Sequence, residues 1–252
     1  MHAYPFVVVL FFISFGSAYS DEPIPITLSH TMENVTFDGK WTFETEWKAS
    51  SLNTYSYENG TQIVLRSAHQ GDFVYILVNP IDDHAPDRLE DYAIVCFDAG
   101  NNKTITAQQD DYCFMAVLEG ESTVYRGGSI METGFEQIPH PEGFTAASSI
   151  SDHNDRYTPI PHPSYEFKIP TNLIGRDNIY GFFLLVHDAN LQKTYTYPGN
   201  VDPAGFASDP SMWGEIYSPD KSLPEFGFAE AALVASFALV ASLARLKRRL
   251  MH

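Results

Sequence analysis

Two short runs set acids beside cysteines: Cys96-Phe97-Asp98 and Asp110-Asp111-Tyr112-Cys113. If the strands that carry them form a hairpin with Cys96 opposite Cys113, antiparallel register makes facing residue numbers sum to 209. Phe97 then faces Tyr112 and Asp98 faces Asp111. Like charges directly across a ladder repel, and a bound cation turns that repulsion into affinity. Oxygen-rich, irregular ligand sets suit calcium, which takes about 6–8 oxygen ligands. Asp110 and, from the end of the preceding strand, Asp82 or Asp83 would complete the set, so the expected metal residues are Asp83, Asp98, Asp110 and Asp111. The plainer alternative is that these carboxylates fan out into water at strand ends.

Sugar binding needs an aromatic face for pyranose C–H groups, with polar donors and acceptors around it. Trp213 lies in the turn-rich stretch Ser208-Asp-Pro-Ser-Met-Trp-Gly214, with Tyr195 and Tyr197 nearby in sequence, and these are the expected ligand-binding aromatics. Trp41 and Trp47 read as core. His140, His153 and His162 share one long loop and could gather a copper or zinc ion, but without regular spacing. Gly-x-Ser-x-Gly, His-Glu-x-x-His and phosphate-binding glycine-rich motifs are absent from the sequence. A glycosidase pair cannot be singled out among so many acids, so a binding protein is expected and no catalytic residue is assigned.

These groups must be positioned by strands. Apolar or alternating runs recur at 61–68, 73–78, 92–97, 112–118, 165–169, 179–187 and 194–197. Gly, Asn, Asp and Pro clusters separate them, and no long amphipathic helix intervenes. The expected fold is all-β, an antiparallel β-sandwich. The stretch from Gly127 to Pro163 lacks strand periodicity and is expected to be a long loop insertion. Two cysteines in an exported chain suggest one disulfide, Cys96 to Cys113.

Export is read from both ends. Val7 to Phe15 is a short apolar segment followed by small residues from Gly16 to Ser20, the pattern of a signal peptide over residues 1–20. From Phe226 to Leu243 only Glu230 is ionisable, and these residues as a helix span roughly 27 Å, near the thickness of a bilayer's hydrocarbon core. Arg245, Lys247, Arg248 and Arg249 follow, which puts that end in the cytoplasm. Residues 21–222 are then an ectodomain at the outer face of the membrane, and 223–252 its membrane anchor. Of the chain's 15 basic and 32 acidic residues, the tail holds four and two, leaving the ectodomain 11 basic and 30 acidic, a net charge of −19. Such a surface repels nucleic acid. Asn34-Val-Thr, Asn59-Gly-Thr and Asn102-Lys-Thr are glycosylation sequons within the exported part.

Two resemblances add to this reading. Pro224-Glu225-Phe226-Gly227, then an apolar helix, then a basic tail, resembles the PEFG-type C-terminal sorting signal of archaeal surface proteins. That likeness implies a sorting transpeptidase, an archaeosortase, as a partner. Phe37-Asp38-Gly39-Lys40-Trp41, Glu46-Trp47, Gly71-Asp72-Phe73-Val74-Tyr75, Asp82-Asp83, Cys96-Phe97-Asp98, the step from Tyr165 to Pro170 and the run from Gly181 to Asp188 form a second pattern. It is similar to the superfamily of family 9 carbohydrate-binding modules, DOMON domains and the haem-binding subunit of ethylbenzene dehydrogenase. The resemblance implies a sandwich that binds glycan or another cell-envelope component, with structural calcium. It also implies an alternative, haem b held by a methionine with a lysine or histidine, for which Met115 and His187 stand at strand positions. A structural envelope protein without a small ligand is the third possibility.

Overall fold

The computed structural model describes residues 22–129, 134–199, 201, 207 and 209–219. The expected signal peptide, the motif Pro224 to Gly227 and the C-terminal apolar segment lie outside the described residues. In chain order the strands are β1 (Ile24–Pro25), β2 (Thr27–Leu28), β3 (Ser51–Ser56), β4 (Gln62–Gln70), β5 (Phe73–Pro80), β6 (Tyr92–Asp98) and β7 (Asp111–Val117). They continue as β8 (Ser122–Gly127), β9 (Phe135–Ile138), β10 (Thr145–Ile150), β11 (Pro163–Pro170), β12 (Ile179–Asp188), β13 (Lys193–Tyr197) and β14 (Gly214–Tyr217). The described helices are one α-turn, Thr171–Ile174, and two 3-10 turns, Met32–Asn34 and Pro210–Met212. No helix of the described residues is long and apolar enough to cross a membrane.

The strands form two sheets. The first runs β1-β14-β12-β6-β7-β8-β9, with β13 also pairing β12. The second runs β10-β11-β5-β4-β2, with β3 also pairing β4. Both are mixed rather than purely antiparallel, because the short N-terminal strands β1 and β2 add in parallel to β14 and β4. The stretch from Gly127 to Pro163 is not simply a loop: β9 extends one sheet and β10 edges the other. Its sequence conceals β10, Thr-Ala-Ala-Ser-Ser-Ile, because an edge strand that is half-exposed on both sides has no reason to alternate.

Where strands are central, the sequence is apolar on both faces. β5 and β6 are buried over almost their whole length. Between the sheets, Leu65, Ile76, Val78 and Phe167 face Val95, Phe97, Phe114 and Phe182 in one core. Phe97 is its aromatic hub, with ring centroids 5.2 Å from Phe182, 5.9 Å from Tyr180 and 6.5 Å from Phe114. Gly71 supplies the positive φ, 56°, that the two-residue turn between β4 and β5 requires.

The outer face of the second sheet is also covered. Met32, Val35, Trp41 and Trp47 from the N-terminal segment pack over Ala68, Tyr75 and Leu77. That cover is fastened by Glu166 of β11, a fully buried carboxylate that accepts the Trp47 indole N–H at 2.9 Å and the Gly39 amide at 2.8 Å. Gly39 is required there: its φ is 88°, and a Cβ would sit 2.2 Å from the Ser148 backbone. Burial, partly opposed by the two hydrogen bonds and aided by Asp38 and Glu46, pushes the Glu166 carboxyl up to about 8.

A carboxyl raised in the folded state holds its proton more tightly there than when unfolded. Its stabilising contribution is present below the ordinary carboxylate range and is lost as pH rises through about 8. Stability should therefore fall between about pH 4.5 and about 8, and Glu166→Gln should flatten that slope in a series of urea titrations, whatever its effect on absolute stability. Trp47→Phe, which leaves Oε1 of Glu166 buried without its donor, should cost about 1–3 kcal/mol in the same measurement.

Candidate functional site

The β6–β7 hairpin has the register that the cysteines imply: Cys96 lies opposite Cys113, Phe97 opposite Tyr112 and Asp98 opposite Asp111. Cys96 and Cys113 form a disulfide with an S–S distance of 2.01 Å. Asp98 and Asp111 are both fully buried. Backbone amides meet both oxygens of Asp98 and one of Asp111, whose Oδ1 is buried and bonds no described residue. The Asn102 and Lys103 amides donate to the two oxygens of Asp98, at 3.2 and 2.9 Å, and the Gln108 amide donates to Oδ2 of Asp111 at 2.6 Å. Lys103 Nζ spans to the carbonyls of Trp213 and Gly214, each at 2.6 Å. Burial raises the Asp111 carboxyl to about 7.

Asp83 does not join them. Asp98 and Asp111 end the ladder at one margin of the sheet, whereas Asp83 lies at the other, beyond the start of β6 and about 20 Å away along a strand of this length. The expected group of Asp83, Asp98, Asp110 and Asp111 is thereby corrected: Asp98 and Asp111 cap the loop between their own strands, and Asp110 is half-buried beside Gly100.

Asp83 converges instead with Asp91, which precedes β6, and Asp188, which ends β12. One oxygen of each lies within 4.8 Å of the others, and all three residues are buried. The β6–β12 register, His187 opposite Tyr92, brings the last two together. Asp91 accepts from the Ala189 amide at 2.8 Å and the Asp87 amide at 2.6 Å; Asp188 accepts from Leu191 at 2.8 Å and Asp83 from Ala85 at 3.2 Å. Burial, with the charges of Asp188 and Asp91, pushes the Asp83 carboxyl up to about 7. The fully buried Tyr165 adds a phenol oxygen that bonds to no described residue and whose pKa is raised, after burial, by these same three carboxylates. Three carboxylates and an orphaned hydroxyl fit a hard, oxygen-seeking cation. Asp91 and Asp188 were not legible as partners, since only the non-local pairing of β6 with β12 juxtaposes them.

The expected sugar-stacking aromatics present no face. Trp213 is 4 % exposed and stacks on Phe135 and Phe183, with centroids 6.3 and 6.1 Å away. Tyr195 and Tyr197 occupy the inward positions of β13 and are buried; the Tyr195 hydroxyl accepts from Asn59 and Thr61, and that of Tyr197 donates to the Glu22 carbonyl. Trp41 and Trp47 are core residues, so all three tryptophans of the chain are buried.

Met115 and His187 are the residues of the haem alternative. Both project from the same outer face of the first sheet, on strands that flank β6, and the His187 ring stacks on Tyr92 at 4.9 Å. The loop histidines also separate: His140 bonds the Ser122 carbonyl, His162 is buried on Ser151 and His153 is exposed.

Among the described residues an open cleft of about 630 Å³ lies at the margin of the second sheet. Its walls are the β4–β5 turn (Asp72 and Phe73), the segment before β10 (Glu142 and Gly143) and the end of β11 with the following α-turn (Pro170, Thr171, Asn172 and Arg176). Arg176 binds the Gly71 carbonyl at 2.9 Å and forms an ion pair with Asp72, and the Thr171 amide closes on the Asp72 carbonyl at 2.8 Å. Lys168 Nζ sits 4.1 Å from the Phe73 ring centroid. Gly143, at φ 86°, leaves the ring edge accessible where a Cβ would come within 3.2 Å. A half-buried ring among two acids, an amide and a guanidinium offers the donors, acceptors and apolar edge that a polyhydroxylated ring uses. Three separate chain segments build this cleft: Asp72, Phe73 and Pro170 belong to the pattern that carries the family resemblance, but no spacing in the sequence joins them to Glu142, Asn172 and Arg176.

Neither a protein-family model nor a curated protein matches the sequence. Solved structures do share its fold. A family 9 carbohydrate-binding module from Caldicellulosiruptor kristjanssonii, in complex with cellotriose, superimposes with a TM-score of 0.52 at 17% identity, covering 78% of this chain and 93% of that one. The same organism's family 9 module in complex with glucose gives 0.51 at 16% identity, over 78% and 95%. At these identities the likeness is one of fold alone: this chain is a β-sandwich similar in fold to those family 9 modules.

Proposed function

We propose that this chain is a non-catalytic glycan-binding module displayed on the cell surface. The observation that carries the reading is the cleft, in which Phe73, Asp72, Glu142, Asn172 and Arg176 converge on about 630 Å³ of open space. Pockets that take small ligands run to about 300–1,000 Å³ and combine an apolar wall with a few fixed polar groups. Planar carboxylate, amide and guanidinium groups pair with vicinal hydroxyls, while Phe73 and Pro170 meet C–H surface. The shared fold with modules solved around glucose and cellotriose supports a glucan as the class of ligand.

Around this site, residues 1–20 would direct export and 223–252 anchor the chain, with a sorting transpeptidase acting at Pro224 to Gly227. Calcium, held by Asp83, Asp91 and Asp188 with Tyr165 beside it, would tie the loop after β5 to the ends of β6 and β12. Its role here is structural: it neutralises three buried charges that otherwise repel.

Two measurements test the reading. Isothermal titration with cellotriose should show saturable binding that Asn172→Ala and Glu142→Ala each weaken about tenfold, the worth of roughly one hydrogen bond to a charged or amide group. Unchanged affinity in both variants would place the sugar elsewhere. For the cation, calcium added to chelator-treated protein should raise Tm, with a stabilisation of about 2.7 kcal/mol at a hundredfold excess over Kd. Asp83→Asn and Asp188→Asn should abolish that rise, while making the chelated protein more stable than the wild type because a buried like charge is gone.

A further inference from the structure

The three sequons are not equivalent in the fold. At Asn59 the amide nitrogen donates to the Tyr195 hydroxyl at 2.8 Å, and the Thr61 hydroxyl is buried against the same oxygen at 3.1 Å. At Asn102 the amide lies 3.4 Å from Gln108 Oε1, and the Thr104 hydroxyl is committed to the Thr106 carbonyl at 2.9 Å. At Asn34 both sequon residues are exposed; the Asn34 backbone N–H donates to the Thr31 carbonyl at 3.0 Å, whereas neither its side-chain amide nor the Thr36 hydroxyl bonds a described residue. Transfer of a sugar to asparagine uses just these two groups.

Beside Asn34 there is a place for what would be attached. Asn34 and Phe43 line one hollow of about 190 Å³, together with Thr31, Thr45 and Glu46. Phe43 is 58 % exposed, an aromatic ring turned to solvent, although Trp41 and Trp47 of the same segment are buried and Phe37 is half-buried. The arrangement is fixed from below. The buried carboxylate of Glu46 accepts the Thr36 amide on one oxygen at 3.0 Å, and the Thr42 and Phe43 amides on the other at 2.9 and 3.1 Å. Trp41 donates its indole N–H to the Phe43 carbonyl. The sequon and the exposed ring are thus clamped to a single side chain, and their spacing does not depend on loop wandering.

We propose that Asn34 carries an N-linked glycan whose first sugar lies on the Phe43 ring, in the hollow between them. The proposal rests on the exported placement of the chain, because the donor is a glycan carried on a lipid phosphate together with its membrane transferase. Asn34 Nδ2 bonds to the anomeric carbon as the bond from that carbon to the phosphate oxygen breaks. The amide gives one proton to the transferase's base, and the lipid phosphate leaves. The attached sugar stacks its C–H face on Phe43, shields the apolar ring from water and presents its hydroxyls to Thr31 and Thr45. This is a site of attachment, separate from the cleft at Phe73, and it rigidifies the same N-terminal segment that covers the second sheet.

The test uses the full chain recovered from the cells that make it. Glycopeptide mass spectrometry should find Asn34 occupied and Asn59 bare, and Thr36→Ala should empty Asn34. Enzymatic removal of the glycan, with the protein in detergent, should lower Tm by about 2–4 °C, the shift expected of roughly 1 kcal/mol in a domain of this size. In Phe43→Ala the same treatment should shift Tm by less than half as much; equal shifts in both proteins would overturn the seat on Phe43. An unmodified Asn34 would overturn the proposal altogether. Protease added to intact cells then separates the causes: cleavage of the ectodomain leaves the exported reading standing, and protection removes it as well.

Discussion

Buried negative charge is the constraint around which this sandwich is arranged. Glu46, Asp83, Asp91, Asp98, Asp111, Glu166 and Asp188 are all buried, and among the described residues the buried cationic side chain is Arg66 alone. A carboxylate inside a protein must be met by N–H groups, by a proton or by a cation. Each of these solutions appears in a different place. Backbone amides meet Glu46 and Asp98. An indole and an amide meet Glu166, whose raised carboxyl is ready to take a proton. Asp83, Asp91 and Asp188 receive one or two amides each but face one another, and a cation is the remedy that fits their geometry.

The same groups organise the architecture. Glu166 fastens the N-terminal cover onto the outer face of the second sheet, and Glu46 sets the spacing of the loop within that cover. Asp98 and Asp111 close the loop between β6 and β7 at one margin of the first sheet, while the three-aspartate cluster secures the other. The cleft proposed to bind glycan lies at the margin of the second sheet. There the turns are short, and Asp72, Arg176 and Thr171 are cross-linked to one another around the open cleft. A cleft cross-linked in this way is preorganised and would lose little freedom on taking a ligand.

Much of the fold was legible because its cause is local. The double-faced apolar runs of β5 and β6 could only be central strands, and the adjacent Cys96 and Cys113 fixed a hairpin register from two residue numbers. The metal group was legible only in kind. Asp83 was picked out, but its partners, Asp91 and Asp188, come together through a pairing of strands that are distant in sequence. Asp98 and Asp111 do face each other as the register demands, yet the loop amides that bond both oxygens of Asp98 and one of Asp111 leave no signature in a string of letters. Trp213 misled for a related reason. A turn-rich neighbourhood suggested exposure, whereas Phe135 and Phe183, each far off in sequence, enclose the ring. β10 was missed because an edge strand need not alternate, and β1 and β2 because two-residue strands are shorter than any periodicity.

The account places a glycan in the cleft beside Phe73 on a scaffold whose acidic interior is balanced elsewhere. A crystal structure of the ectodomain grown with calcium and soaked in cellotriose tests this most directly. The account predicts sugar density against Phe73, within hydrogen-bond distance of Asp72, Glu142, Asn172 or Arg176. Density instead over the outer face of the first sheet, around Tyr92 and His187, or a bare cleft at saturating sugar, would contradict it.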